Sequence, residues 1–537
     1  DRDRDPRDRA VGGEAPAAGV DSTHGARRRR RSTHVWLLVF ELARRVIAQI
    51  AMVQRLLSAL AAAALAALVA VALRNAPPKL EDTALDAKFA NFRDWILQHS
   101  GTGPGGDRWR AARSPLGGYG LFTDDALAEG AAMVHVPLTL MLTGARAPAG
   151  ALDHPAITAA IAEPDLAGIP PLALALLRER AAGNASFYAP YIATMSAETP
   201  SYAALADEIK GSDLEVHLAR RNTLDALAAS AVEQALGAEM RDGLAWALAT
   251  VRSRAILLTT QSASETSGGK QNRAHTQRDT RWCPDGDLCP ALVPLMDLLN
   301  HQFEDEARTT GTEAWRESYV WRASRHFAAG DEVVWSYGPK PSSAMLLSYG
   351  FVVDDNPNEA VSVFMNVKKD EPTADARREV LRAAAAQLGS AHQQPQPGAD
   401  GIVRFRRADQ RSGPIGLNDL AVARTLTCPT AALKGAQAAL IAGRPVSKSN
   451  ELDALNLLRK MASYRLEGYA GGSAEDDDAR LAAGTGSAAW RMVVRMRRAE
   501  KRLLRGALRE IDRRISRVAK DGIGAVRRPP KPSERAA

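Results

Sequence analysis

The chain has 537 residues, too many for a single hydrophobic core. It is 45% hydrophobic and 25% charged, the composition of a globular protein, and its formal net charge of +8 is unevenly spread. Residues 1–55 carry +5 and residues 491–537 carry +11, which leaves −8 on residues 56–490. That balance argues against a basic nucleic-acid-binding body and leaves room for an acidic face that receives a basic peptide. The three cysteines, Cys283, Cys289 and Cys428, are too few for a disulfide framework. No further His or Cys completes four ligands around Cys283 and Cys289, so these read as loop thiols and no metal is expected.

In chain order, residues 1–55 form a basic N-terminus, disordered on composition, with an amphipathic segment at 35–50. Residues 56–73 contain no charge, and eighteen such residues are just long enough to span a bilayer. A transmembrane helix or a removable leader is the expectation there, with a soluble Ala-rich helix as the alternative. Arg44, Arg45 and Arg55 precede the segment, which by the positive-inside rule keeps the N-terminus cytoplasmic and carries the rest across. The reading is therefore a membrane-anchored or organelle-targeted protein, for instance in a plastid, with a cytoplasmic location as the alternative.

Helical spacing of Leu85, Phe89, Phe92, Trp95 and Ile96 follows over 83–98. Ser114 to Phe122 reads as a tight Gly turn entering a strand, and Ala132 to Pro137 as a second short strand. Residues 150–250 are Ala/Leu-rich and helical, and strand patterns return at Ser318–Arg322 and Glu332–Ser336. A β unit is thus split by a helical insertion. From about 370 the chain is helical again, and over 488–520 Leu504, Leu508, Ile511, Ile515 and Val518 form an apolar stripe on a basic helix. Residues 521–537 form a Pro/Arg tail, disordered on composition.

The most informative stretch is Val293-Pro-Leu-Met-Asp-Leu-Leu-Asn-His301, an apolar run with three polar residues. Polar groups in a buried segment need partners or cost about 1–3 kcal/mol each, so such a run lines something polar. Together with Gly117-Gly-Tyr-Gly-Leu-Phe122, Val136 to Met141, Val251-Arg-Ser-Arg254, Gly330 to Gly338 and Leu346-Leu-Ser-Tyr-Gly-Phe351, it resembles the ordered motifs of SET-domain protein methyltransferases. The resemblance is to the class typified by the Rubisco large-subunit lysine methyltransferase. Ser412 to Leu420, Glu451 to Leu455 and Arg498 to Arg502 resemble the helical substrate-binding domain of that class, so that the likeness covers roughly 80–525. Gly117, Gln302 and Lys340-Pro-Ser-Ser-Ala-Met-Leu346 depart from the usual motifs.

The resemblance implies an α+β fold: a SET-type β core at 80–352 split by a helical insertion at about 146–248, then an all-α substrate-binding domain at 370–520. It implies S-adenosyl-L-methionine as cofactor, held by Gly118, Tyr119, Gly120, Ser253, Asp297, Asn300 and His301. It places Tyr337 and Tyr349 as catalytic residues and Arg254 and Ile256 at the substrate. The partner is a protein presenting a lysine, with no nucleic acid, a membrane contact through 56–73, and a monomeric state. Glycines let the backbone approach the donor closely, and Tyr337, with an ordinary pKa near ~10, orients an amine better than it deprotonates one. The apolar Ile256 favours lysine over histidine as acceptor, since an alkyl stem prefers an apolar wall. Protein-histidine methylation and a catalytically inactive SET-like binding module are the alternatives.

Overall fold

The computed structural model describes residues 80–100 and 108–523, apart from 167, 198–200, 242, 260–287, 304–312, 316–317, 389–398 and 411–412. Helix α1 (Leu80–Ser100) opens the described chain. Its residues Phe89, Phe92, Trp95 and Ile96 are buried at three- and four-residue spacing, as one helix face against a core requires. Strands β1 (Trp109–Arg113) and β2 (Tyr119–Thr123) form a hairpin, with Arg113 opposite Tyr119. The turn between them depends on Gly117 and Gly118, whose φ values of 115° and 65° an L side chain adopts only with strain. Strands β3 (Ala132–Pro137) and β4 (Leu142–Thr143) follow.

The helical insertion then begins. It contains α2 (Pro155–Ile161), α3 (Ile169–Ala181), a single turn at Ala189–Ile192, α4 (Asp213–Leu236) and α5 (Leu244–Arg254). Pro170 to Leu177 of α3 are all buried, so this helix runs through the core rather than over it. The β unit resumes with β5 (Ile256–Thr259), β6 (Leu288–Leu292), β7 (Asn300–His301), β8 (Glu313–Trp315), β9 (Ser318–Arg322) and β10 (Glu332–Trp335). Three small sheets result, in the orders β1-β2-β10-β7, β3-β9-β8 and β4-β6-β5. Cys289 lies in strand β6 and not in a loop, while Cys283 is outside the described residues. Among the described residues no cluster of metal-ligating side chains occurs.

Helix α6 (Ser342–Tyr349) closes this half, and Gly350 caps it at φ 78°. Beyond it come β11 (Ala360–Met365), α7 (Ala374–Gln387), β12 (Gly401–Arg406), α8 (Leu417–Thr427), α9 (Thr430–Ile441), α10 (Lys448–Gly468), α11 (Ala474–Ala482) and α12 (Ala488–Asp521). The C-terminal domain is helical, with one antiparallel ribbon of β11 and β12 added to it. On α12, Leu504, Ile511 and Val518 are buried, and Leu508 and Ile515 pack against the same core. Each such side chain contributes roughly 1.5–3 kcal/mol by leaving water. A smaller cluster of Tyr202, Leu214, Leu346, Val493 and Met496 joins the insertion, α6 and α12.

The membrane reading is corrected. Among the described residues no helix is long and apolar enough to cross a membrane, and residues 56–73 themselves lie outside those residues. Hydrophobic length alone carried that expectation, and the alanine-rich run gives it no further support. The membrane anchor, the membrane contact and the location built on them are withdrawn.

Candidate functional site

Val293 to His301 runs from the end of β6 into β7. Val293, Leu295, Met296, Leu298 and Leu299 are buried, and Met296–Leu298 form one 3-10 turn. Leu295 enters the turn at φ 75°, a sparsely populated conformation for a branched side chain. Asn300 and His301 then pair in parallel with Val334 and Trp335 of β10. On its other side β10 pairs antiparallel with β2, placing Glu332 opposite Phe122. Strand β10 thereby sets the Asn-His segment and the Gly118–Gly120 hairpin on two sides of one ladder.

The hairpin and the Asn-His segment are tied by side chains. Asn300 Nδ2 donates to Tyr119 O at 3.2 Å and to Glu332 Oε1 at 2.7 Å. Ser114 Oγ donates to Glu332 Oε2 at 2.8 Å. Gly120 faces this knot: a Cβ there would meet the Glu332 carboxylate and lie 2.9 Å from Asn300 Nδ2. Tyr119 stacks on Phe89 at 4.3 Å between centroids, lies under the Arg113 guanidinium, and donates its hydroxyl to Asp86 at 2.7 Å.

His301 is buried. Its Nδ1 accepts the Tyr337 N–H at 2.9 Å, which assigns the proton of the neutral ring to Nε2. Burial, reinforced by the Lys340 charge, lowers its pKa to about 4, so the ring is neutral at neutral pH. Nε2 is buried and has no protein acceptor. Burial also lowers the pKa of Lys340 itself.

Tyr337 follows β10, and its hydroxyl donates to Leu299 O at 2.8 Å. Its ring lies 5.1 Å from His301, 4.7 Å from Tyr349 and 6.3 Å from Phe351. Burial pushes the Tyr337 phenol well above the ordinary tyrosine range, with Tyr349 adding to it, and burial pushes Tyr349 up to about 12. Both are neutral hydroxyls at neutral pH and neither is a general base. The rings at this end of the site are neutral phenols, an imidazole and a phenyl ring, with the Lys340 charge acting on His301.

Asp297 faces the other way. Its side chain is fully buried; Oδ2 accepts Tyr191 OH at 2.9 Å and Arg254 Nη1 at 2.9 Å, while Oδ1 has no protein donor. Arg254 Nη1 also reaches Asp297 O at 3.3 Å. Burial raises the pKa of Asp297, opposed by Arg254 and Tyr191.

Of the residues singled out in the sequence, Gly118, Tyr119, Gly120, Asn300, His301, Tyr337 and Tyr349 are brought together, and Arg254 joins Asp297. Two are directed elsewhere. Ser253 Oγ donates to Thr250 O in its own helix at 3.1 Å, and Ile256 opens β5, buried and paired with Ala291. The amide nitrogen of Asn300 is engaged by the fold itself. Sequence reasoning missed Glu332 and Tyr191. For Glu332 the signal was an acidic residue opening an apolar strand within Gly330–Gly338. For Tyr191 it was a polar-tipped aromatic in an otherwise Ala/Leu-rich insertion.

Solved structures of Rubisco LSMT share this architecture. The one bound to AdoMet aligns over 83% of this chain and 98% of that chain, with a TM-score of 0.60 and 17% identity. The fold is that of SET-domain methyltransferases of the Rubisco LSMT class. In the C-terminal helical domain, residues 368–504 match the family described as Rubisco LSMT substrate-binding. The ribosomal lysine N-methyltransferase set10 of Schizosaccharomyces pombe is 29% identical over 97 residues, 18% of this chain and 18% of that protein. The human actin-histidine N-methyltransferase is 25% identical over 362 residues, 63% of this chain and 54% of that protein. The chain thus spans less than two thirds of the length of either relative.

Proposed function

We propose that the chain is a protein methyltransferase that uses S-adenosyl-L-methionine and methylates a lysine of a protein substrate. The observation that carries this reading is the neutral Tyr337–Tyr349 pair, ring centroids 4.7 Å apart, with Tyr337 5.1 Å from the buried His301 ring. When bound, the donor supplies an electrophilic methyl group. The residues suit such a group. His301 Nε2 offers a buried N–H without a protein acceptor, and the Gly117–Gly118 turn keeps the hairpin free of Cβ atoms. Gly118, Tyr119 O, Asn300 and His301 would hold the donor from the β2 and β7 sides of the ladder.

The chain's own part in the reaction is positioning and exclusion of water. In-line transfer gains most from fixed orientation of the two reactants. An ammonium has no lone pair, and neutral walls such as the Tyr337 and Tyr349 rings favour the free amine because burial disfavours the charged form. The neutral phenols orient that amine through hydroxyl oxygens without competing for its proton.

Protein-histidine methylation is the second reading, favoured by the likeness to the actin-histidine N-methyltransferase over 63% of this chain. The test is incubation of the purified full chain with methyl-labelled donor and cell lysate, followed by hydrolysis and peptide mass spectrometry. Label on lysine supports the first reading, and label on histidine replaces it with the second. Donor that neither binds nor transfers its methyl group contradicts both.

A further inference from the structure

The helical insertion reaches Asp297 through Tyr191 and Arg254. Tyr191 lies on the turn Ala189–Ile192, is 1% exposed, and packs in one cluster with Phe92 at 5.8 Å and Trp95 at 6.4 Å between ring centroids, parallel to the latter within 4°. Its hydroxyl donates to Asp297 Oδ2, 106 residues away in sequence and 2.9 Å away in space. Arg254, at the end of the insertion, binds the same oxygen and the Asp297 carbonyl.

Asp297 is the central residue of the Met296–Leu298 turn, whose entry at Leu295 is in an unfavourable conformation that only its surroundings can maintain. The next carbonyl beyond the turn, Leu299 O, accepts the Tyr337 hydroxyl, and the next two residues are Asn300 and His301. One side of the turn is thus held by the insertion and the other by the catalytic-side tyrosine.

We propose that Tyr191 is a positioning residue: with Arg254 it clamps Asp297 and so fixes the strained turn that sets Asn300 and His301 for the donor and Leu299 O for Tyr337. The insertion is on this account part of the donor wall and more than a spacer. The assignment of a donor to this wall rests on the proposed function; the clamp on the turn does not.

The charged and titratable groups facing Asp297 are Arg254 from α5, Tyr191 from the insertion and Tyr337 beyond β10. Removing the Tyr191 hydroxyl takes away one of the two side-chain donors that favour the carboxylate, so Asp297 protonates more readily. The loss of the clamp therefore deepens as pH falls.

The test compares Tyr191→Phe with Tyr188→Phe in the full chain. Tyr188 lies three residues away, is equally buried, and donates its hydroxyl to Met141 O at 3.1 Å, so it controls for the loss of any buried hydroxyl. Hydrogen exchange is followed over peptides covering 295–303, and S-adenosyl-L-methionine binding is measured by calorimetry in the same samples. Tyr191→Phe is expected to speed exchange at 298–302 and to weaken donor binding about tenfold, as loss of a charge-assisted hydrogen bond implies. The penalty should grow as pH falls. Tyr188→Phe should leave both near the wild-type values. Exchange and affinity in Tyr191→Phe that match Tyr188→Phe would overturn the proposal. Faster exchange at 298–302 in a chain whose wild type binds no donor would uphold the clamp and refute the proposed function instead.

Discussion

In the C-terminal helices, Arg424 and Glu451 are each 1% exposed and fully matched. Arg424 Nη2 meets Glu451 at 2.7 Å, Nε meets the other carboxylate oxygen, and Nη1 meets Gly443 O. Asn450 Nδ2 closes the arrangement on Arg424 O at 3.1 Å. The turn at 295–303 is partly buried and is left incomplete: His301 Nε2 and Asp297 Oδ1 have no protein partner, nor has Trp335 Nε1 on the paired strand. A buried polar atom without a partner costs about 1–3 kcal/mol; beside the Arg424–Glu451 pair Asn450 Oδ1 and Thr425 Oγ1 are also without one, although the pair itself is satisfied. The first region holds α8 against α10. The second is the wall proposed to hold the donor.

This contrast has measurable consequences. Arg424→Ala should strand Glu451 in the core and lower stability by about 3–5 kcal/mol in chemical denaturation, since breaking a buried pair leaves an uncompensated charge. A loss under about 1 kcal/mol would mean the pair is less buried than described.

At the site the expected signature is pH dependence. The pKa of His301 is lowered to about 4 from an ordinary 6.5, so the unfolded chain binds the extra proton first. Its contribution is complete above about pH 6.5 and is lost as pH falls toward 4, on the order of 3 kcal/mol in all. His301→Gln should flatten that part of the stability–pH curve, and an unchanged slope would remove the assignment.

Tyr337→Phe should reduce methyl transfer about a hundredfold through loss of a preorganised hydroxyl. Its melting temperature should stay close to that of the wild type, in contrast with Arg424→Ala. Smallest of all, Ser114→Ala removes one donor from Glu332 and should cost about 0.5–1.5 kcal/mol in denaturation, with donor binding little changed.

Much of the site was legible because its residue types are improbable where they stand. Asp297, Asn300 and His301 interrupt an apolar run, Gly117 and Gly118 mark a turn that needs positive φ, and two Tyr-Gly pairs stand 12 residues apart. The stripe on α12 was legible for a different reason, since helical periodicity is a local property. Tyr191 and Glu332 were not, because their roles arise from contacts with Asp297 and Asn300 that only the folded chain creates. Strand β12, Gly401-Ile-Val-Arg-Phe-Arg406, was hidden by arginines within a segment otherwise helical; its pairing with β11 decides it. The membrane reading failed because length without charge is a weak signal in an alanine-rich run.

The central claim is a division of labour across β10, with the Asn300-His301 side governing donor affinity and the Tyr337-Tyr349 side governing transfer. Calorimetric titration of S-adenosyl-L-methionine into Asn300→Ala and Tyr337→Phe, beside single-turnover transfer in both, measures it directly. The account predicts a raised dissociation constant in Asn300→Ala and a near-normal one, with slow transfer, in Tyr337→Phe. Normal donor affinity in Asn300→Ala with only turnover reduced would contradict it.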